Sequence, residues 1–209
     1  MHPLVFDAFQ AICATLPSVP DVLEIGASPA HRMLLSLPAL HGAARRVGVG
    51  LDGPFDGGSY QLLHADAHDL SMFADAGFGL VLCNSLLEHD PHFWLTLAEA
   101  RRVLAPGGWM VLGVPGYGAT GRIRLPPPGR LIARMLARLP RVGAAWRDLQ
   151  PALDASSLTL GVHNFPGDYY RFSAQAMAEV LLAGLEQVTV RSILAPPRLI
   201  GYGRKPSAA

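Results

Sequence analysis

Cysteine is scarce in this chain of 209 residues, which contains only Cys13 and Cys83. Both lie in apolar stretches, AFQAICATL and FGLVLCNSL, which favours buried free thiols. A disulfide framework or a zinc site needs more cysteines at closer spacing. Histidine and acidic residues also lack the spacing of metal ligands, so we predict no metal site.

Long hydrophobic runs are missing as well. No segment approaches the roughly 18 uninterrupted apolar residues that a membrane-spanning helix requires. The first residues, MHPLVFDAFQ, lack the basic and then apolar pattern of a secretory signal. We therefore expect a cytoplasmic protein without stable membrane insertion.

Charge is sparse and nearly balanced, with 16% charged residues and a formal net charge of +1. Such a chain has no strong overall attraction to nucleic acid. Its one basic stretch, from Arg122 to Arg147, lacks the interleaved aromatic residues that stack on bases. We expect no nucleic-acid partner, and we leave a homo-oligomer open.

The chain does contain a regular alternation of short apolar runs and helical patterns. We predict strands at 21–27, 46–52, 60–66, 78–86, 109–116, 187–194 and 198–204, and helices at 3–15, 29–37, 91–104 and 173–182. This order predicts an α/β fold, a three-layer α/β/α Rossmann-like sandwich with a seven-stranded, mostly parallel sheet. The turn before the last strand is too short for a parallel crossover, so that strand should be antiparallel.

The alternation is interrupted at about 117–165, which holds three consecutive prolines at 126–128 and a basic amphipathic segment at 130–139. We interpret this stretch as a lid or acceptor insertion in a single domain spanning 1–209. Its arginines at every fourth position suit an anionic acceptor, a membrane surface or a partner. A lid helix with a solvated arginine face is the simpler interpretation.

Acidic residues mark the ends of the first three predicted strands. Glu24 precedes the Gly26 turn in VLEIGASPA, Asp52 ends the second strand, and Asp66 ends the third. Each acid alone is typical of a solvated strand end. Ligands of such sheets bind outside the carboxyl ends of the strands, so three acids at one edge favour a nucleotide-type site.

The segments VLEIGASPA, GLD, HADAHDL, FGLVLCNSLLEH and EARRVLAPGGWMVLGVPG, in this order, resemble the class I S-adenosylmethionine-dependent methyltransferases, specifically the type 11-like group. The resemblance covers residues 19–116 and returns at 164–205. It implies S-adenosylmethionine as cofactor and methyl transfer to a small-molecule or glycoconjugate-precursor acceptor.

The resemblance also implies a cofactor site made of Glu24, Gly26, Ser28, Asp52, Asp66, Ala67, Asn84 and Ser85. Asp52 matches the acid that binds the ribose hydroxyls. Asp66 and Ala67 match the pair that contacts adenine. Asn84 and Ser85 match the strand end that lines the methionine part of the cofactor.

His89, in the LLEH segment, matches a position beside the transferred methyl group. An oxygen or amine acceptor can require a base, and an imidazole titrates near neutrality. We therefore predict His89 as the catalytic residue. The alternative is that His89 packs under a loop or bonds to the backbone.

A second polar cluster follows the insertion and contains His163, Tyr169, Tyr170 and Arg171. We predict that these residues bind the acceptor. The alternative is a structural corner in which Asp168 pairs with Arg171 and Ser173 caps the next helix.

Three positions depart from the family pattern. Ser28 and Ala30 replace glycines of the first turn, and Gly79 replaces an acid at the start of the fourth strand. These departures motivate a second hypothesis, a catalytically degenerate methyltransferase-like binding or scaffold protein. A nicotinamide oxidoreductase is disfavoured by the missing third glycine and by the closing hairpin.

Overall fold

A central mixed sheet of eight strands organises the protein in a computed structural model that describes residues 1–119, 157–161, 167–194 and 196–207. In chain order the strands are β1 (Asp21–Ile25), β2 (Arg45–Gly50), β3 (Phe55–Asp56), β4 (Gln61–His64), β5 (Phe78–Asn84), β6 (Leu104–Pro115), β7 (Tyr117–Ala119), β8 (Ser157–Thr159), β9 (Glu186–Leu194) and β10 (Pro197–Arg204). Their order across the sheet is β3-β4-β2-β1-β5-β6-β10-β9, while β7 and β8 form a separate pair.

The five strands β4, β2, β1, β5 and β6 run parallel, and β10 is antiparallel to both β6 and β9. The predicted Rossmann-like sandwich with an antiparallel last strand is therefore confirmed. The sheet has eight strands where seven were predicted. The additional strand is Phe55–Asp56, which pairs antiparallel with β4 inside a stretch that we expected to be a loop.

Helices cover both faces of the sheet. On one face, α1 (Pro3–Cys13) buries Phe9 and Ile12 in a core shared with Leu82 and Val111. On the other face, α2 (Phe93–Val103) packs together with the short helix α3 (Ala174–Ala176), which continues as a π-helical turn over Met177–Leu181. Both faces of the parallel strands are thus buried, as the continuous apolar runs predict.

The predicted helix at 29–37 is wrong. Two separate 3₁₀ turns, Leu34–Ser36 and Pro38–Leu40, replace it. Leu37 precedes a proline and has an extended backbone with φ −60° and ψ 128°, which ends any helix at that point. The Leu35 amide donates to the carboxylate of Glu24 at 3.0 Å instead of to a helical carbonyl.

One strand boundary and the form of one helix also differ from the prediction. Strand β6 begins at Leu104, before the predicted 109, because Leu104 already pairs with Phe78 of β5. The helix predicted at 173–182 starts where expected, since the Ser173 hydroxyl accepts from the Ala176 N–H at 3.0 Å. It then widens into the π-helical turn.

Tyr117, at the start of the predicted insertion, lies beside Thr159, because the two residues pair in the β7–β8 ribbon. Residues 120–156 and 162–166, including the predicted basic helix at 130–139, lie outside the described residues. Within the described part of the chain, no helix is long and apolar enough to cross a membrane. The same part contains no group of three residues suited to hold a metal ion.

Candidate functional site

Four adjacent parallel strands bring the predicted cofactor residues to one edge of the sheet. Gly26 and Ser85 directly follow β1 and β5, whereas Asp52 and Asp66 lie two residues beyond β2 and β4. Parallel strands have their carboxyl ends on the same edge, which we call the carboxyl rim. From β4 to β5 the rim spans three interstrand spacings, about 14 Å. Both aspartates are exposed along it.

The turn at Gly26 is held in a conformation that favours glycine, with φ +80°. The N–H groups of Gly26 and Ala27 both donate to the Val49 carbonyl, at 2.9 and 3.0 Å. A Cβ at position 26 would lie 3.0 Å from the Cβ of Leu86. The turn is therefore fixed between β2 and the segment that follows β5. Because Gly26 has no side chain, a ligand at the carboxyl rim could approach the backbone of this turn closely.

Glu24 is buried, with 4% of its surface exposed. Its Oε2 accepts the Leu35 N–H, so the carboxylate braces the 3₁₀ turn beside β1. Burial raises the pKa of Glu24 to about 7, although the backbone N–H groups of Leu34 and Leu35 act in the opposite direction. Nearby, the Ser28 hydroxyl accepts from the Ala30 N–H at 3.3 Å and closes a local turn.

Ser85, at the end of β5, is held by three hydrogen bonds in the left-handed region, with φ 56°. Its N–H donates to the Gly113 carbonyl at 3.0 Å. Its hydroxyl accepts from Asn84 Nδ2 at 3.0 Å and from Arg198 Nη2 at 2.6 Å. Gly113 permits this approach, because a Cβ there would lie 2.4 Å from Asn84 Oδ1 and 2.8 Å from the Phe9 ring.

Arg198 is a site residue that the sequence did not identify, since the last strand offered only an apolar pattern. Its Nη1 lies 3.6 Å from Oε1 of Glu88, and the two side chains are 10% and 0% exposed. Burial lowers the pKa of Arg198, and the Glu88 carboxylate opposes that shift. A buried charge pair therefore lies beside the end of β5.

His89 donates from Nδ1 to the Gly167 carbonyl, 3.0 Å away. A carbonyl only accepts hydrogen bonds, so Nδ1 carries the proton and the lone pair of a neutral imidazole lies on Nε2. The Glu88 carbonyl accepts from the N–H groups of Tyr169 and Tyr170, at 2.8 and 3.2 Å. The segment 167–170 is thus fixed along the LLEH segment.

Arg171 braces the chain in this region. It pairs with Asp168 and donates to the carbonyls of Leu160, Gly161 and Tyr170 at 3.0, 3.2 and 2.8 Å. The pairing with Asp168 raises the pKa of Arg171. These contacts favour the structural-corner alternative for Arg171.

The other predicted acceptor residues differ in their surroundings. Tyr170 donates from its hydroxyl to the Pro91 carbonyl at 3.0 Å and packs edge-on against Phe93. Tyr169 is 58% exposed and remains open to a ligand. His163 lies outside the described residues.

A second unpredicted cluster supports the Asp66 end of the rim. Asp66 accepts the backbone N–H of His68 at 2.9 Å, and His68 Nε2 lies 2.9 Å from Oδ1 of buried Asp90. Asp90 also accepts from the Thr96 hydroxyl at 2.7 Å and from the His92 N–H at 2.8 Å. The sequence signal was HADAHDL together with LLEHD, but nothing in it pairs His68 with Asp90.

Arg102, the arginine of the R-x-L-x-P-G-G segment, anchors the loop that follows Asp66. Its guanidinium bonds to Glu99 and Asp75 at 2.7 Å each and to the carbonyls of Leu70 and Phe73 at 2.8 and 2.9 Å. The motif was part of the family resemblance, whereas this anchoring role was not foreseen.

Gly79 lies at the amino end of β5, on the edge opposite the carboxyl rim. A Cβ there would lie 2.8 Å from the Val19 side chain. A cavity of about 340 Å³ opens on this edge and is lined mostly by small and apolar residues, among them Cys13, Val19, Leu40, Gly79 and Trp109. The departure at Gly79 is therefore remote from the predicted cofactor residues.

Comparison with known proteins supports the resemblance. A family model described as a methyltransferase domain matches residues 35–112. The structure is similar to the 1,6-didemethyltoxoflavin N1-methyltransferase of Burkholderia thailandensis, solved with S-adenosylhomocysteine, with a TM-score of 0.59, 19% identity and coverage of 97% of this chain and 78% of that one. A Thermotoga maritima methyltransferase described as a possible histamine N-methyltransferase has a TM-score of 0.55 at 16% identity, with 97% and 92% covered.

A third similar structure is the [4+2]-cyclase SpnF, with a TM-score of 0.60, 12% identity and coverage of 98% of this chain and 81% of that one. No curated protein sequence matches this chain. The chain nonetheless has the fold of S-adenosylmethionine-dependent methyltransferases of known structure, and the matched domain model supports the class predicted from the sequence.

Proposed function

We propose that this chain is an S-adenosylmethionine-dependent methyltransferase acting on a small molecule or a glycoconjugate precursor. The observation that carries the proposal is the order of residues along the carboxyl rim. Exposed Asp66 and Asp52 are followed by the Gly26 turn and then by Ser85, on four neighbouring strands. An elongated nucleoside with an amino-acid tail matches this order.

The residues present fit the cofactor chemically. The Asp52 carboxylate has two oxygens for the two ribose hydroxyls, and Asp66 can accept from the adenine amino group. The bare backbone of the Gly26 turn allows close approach of the tail. Glu24 contributes indirectly, because its carboxylate braces the 3₁₀ turn beside β1.

The bound cofactor supplies an electrophilic methyl group on a sulfonium. The chain's main task is then to hold the acceptor in line, an effect of proximity and orientation. His89 is proposed to accept the proton of an O–H or N–H acceptor at Nε2. The Gly167 carbonyl keeps the other nitrogen protonated and the ring oriented.

The second candidate is a methyltransferase-like protein that no longer transfers methyl groups. Its specific support is the segment after β1, where Ser28 and Ala30 replace glycines and where two 3₁₀ turns replace the expected helix. The similarity to a [4+2]-cyclase illustrates that this fold also serves other chemistry.

Calorimetric titration with S-adenosylhomocysteine tests the proposal. We expect the wild-type protein to bind and Asp52→Ala to weaken binding by at least tenfold, because the ribose hydroxyls lose their acceptor. Asp75→Ala is the control, since that residue lies at the opposite edge and pairs with Arg102. A wild-type protein that does not bind at millimolar ligand would refute the methyltransferase proposal, whereas equal binding of both variants would remove Asp52 from the site.

We also propose a cytoplasmic location. Both Cys13 and Cys83 are buried and unpaired, which suits a reducing compartment. Retention of the protein in the soluble fraction of a lysate, separate from periplasmic or secreted material, is the expected result.

A further inference from the structure

We propose that Arg198 is a positioning residue for the amino-acid tail of the cofactor and that it acts through Ser85. This inference rests on the proposed function. It assigns a role to β10, a strand that contributes none of the predicted site residues.

Arg198 reaches the site from two strands away. It is the second residue of β10 and pairs with Pro115 at the end of β6, so its backbone lies at the carboxyl rim. Its side chain crosses β6, and Nη2 donates to the Ser85 hydroxyl at 2.6 Å. Only 10% of the side chain is exposed, which means that the contact is shielded from competing water.

Ser85 needs such support because its backbone is in the left-handed region, where residues with a Cβ are disfavoured. Conformations of this kind persist only where surrounding contacts enforce them, and they concentrate at functional sites. Asn84 and Arg198 both donate to the hydroxyl oxygen. A hydroxyl that accepts two hydrogen bonds can still donate its own proton, and the carboxylate of an amino-acid tail is a suitable acceptor.

The neighbouring Glu88 explains why position 198 requires an arginine. Glu88 is fully buried, and its Oε1 lies 3.6 Å from Nη1 of Arg198. A neutral residue at 198 would remove a positive charge from beside this buried carboxylate. A lysine would keep the charge but lose the two-pronged geometry that joins Ser85 and Glu88.

Binding of two ligands distinguishes a role of Arg198 at the amino-acid tail from a general structural role. S-adenosylhomocysteine carries the amino-acid tail, and 5′-methylthioadenosine has the same nucleoside without it. We expect Arg198→Met to weaken S-adenosylhomocysteine binding by at least tenfold and methylthioadenosine binding by less than twofold. Arg198→Lys should restore part of the loss. Arg191→Met, on the exposed side of the same hairpin, is the matched control and should bind both ligands normally.

A double-mutant cycle tests whether the effect passes through Ser85. Ser85→Ala should reproduce the selective loss, and Arg198→Met combined with Ser85→Ala should bind no more weakly than the worse single variant. Additive losses would show that Arg198 acts independently of Ser85. If Arg198→Met does not fold, Arg198→Lys and Ser85→Ala carry the same comparison.

Other outcomes overturn the inference in recognisable ways. Equal losses for both ligands would assign Arg198 a merely structural role, and unchanged binding in Arg198→Lys and Ser85→Ala would eliminate the positioning role. A wild-type protein that binds neither ligand would instead refute the proposed function itself, and this inference with it.

Discussion

Nε2 of His68 lies 2.9 Å from Oδ1 of Asp90, and this contact joins the loop after β4 to the segment that leads into α2. Asp90 is 7% exposed and takes its remaining hydrogen bonds from Thr96 and the His92 backbone. The His68 imidazole therefore helps to anchor the loop that carries Asp66 to buried structure.

Replacing that imidazole should destabilise the protein and loosen the loop that carries Asp66. His68→Ala removes one of three hydrogen-bond partners of a buried carboxylate, which costs about 1–3 kcal/mol. Urea denaturation should show this loss, and titration should show weaker binding of S-adenosylhomocysteine. His41→Ala, at an exposed position, should change neither quantity, and an equal loss in both variants would contradict the anchoring role.

Glu24 should make the stability depend on pH in an unusual direction. Its carboxyl has an ordinary pKa of 4.5 in the unfolded chain, and burial raises the pKa to about 7 in the folded protein. Between these values the folded state binds more protons than the unfolded state, so the free energy of unfolding falls as pH rises from about 4.5 to 7. The whole loss is about 3 kcal/mol.

Glu24→Gln is neutral at every pH and keeps an oxygen for the Leu35 N–H. Relative to wild type, this variant should gain about 3 kcal/mol between pH 5 and pH 8 in urea denaturation. Glu99→Gln is the control. Because Arg102 lowers the pKa of Glu99, that group is ionised in both states above pH 6, and its difference from wild type should be constant from pH 6 to pH 8.

Most of the strands and the residues at the carboxyl rim were predictable because they depend on local patterns. Apolar runs identify buried strands, and the residues after them must lie at the carboxyl ends. The segment 29–37 was not predictable in the same way. Its apolar residues fit a helix, but the Leu35 amide bonds to Glu24, and Pro38 forces an extended Leu37.

The contacts that complete the site could not be predicted, because they join distant parts of the chain. Arg198 and Ser85 are 113 residues apart in sequence, and Arg198 lies in a strand whose pattern indicated only an apolar core. His68 and Asp90 are 22 residues apart. In each case the role of the polar side chain can be recognised only once the fold shows which partner lies beside it.

Arg102 should tolerate even a conservative replacement poorly. Its five donors reach two carboxylates and two carbonyls, which fix the loop from Leu70 to Asp75 onto α2. A lysine has three donors on one atom and cannot span these acceptors. We expect Arg102→Lys to lower the free energy of unfolding by about 1–3 kcal/mol.

Arg191→Lys is the control for this variant, because Arg191 is an exposed residue that should tolerate the same exchange. If both variants denature at the same urea concentration, the guanidinium geometry of Arg102 is not what holds the loop.

The Gly26 turn allows backbone strain and packing to be separated. Gly26 and Gly58 both have positive φ, +80° and +75°, but a Cβ would meet Leu86 only at position 26. Backbone strain should therefore lower the free energy of unfolding of both alanine variants by about 1–2 kcal/mol. The free energy of unfolding should fall further in Gly26→Ala, because the new Cβ meets Leu86. Adding Leu86→Ala to Gly26→Ala should recover part of this additional loss. Gly26→Ala should also weaken S-adenosylhomocysteine binding, whereas Gly58→Ala should not. If the two alanine variants are equally stable and bind equally, the turn does not need the close approach to Leu86, and its glycine serves conformation alone.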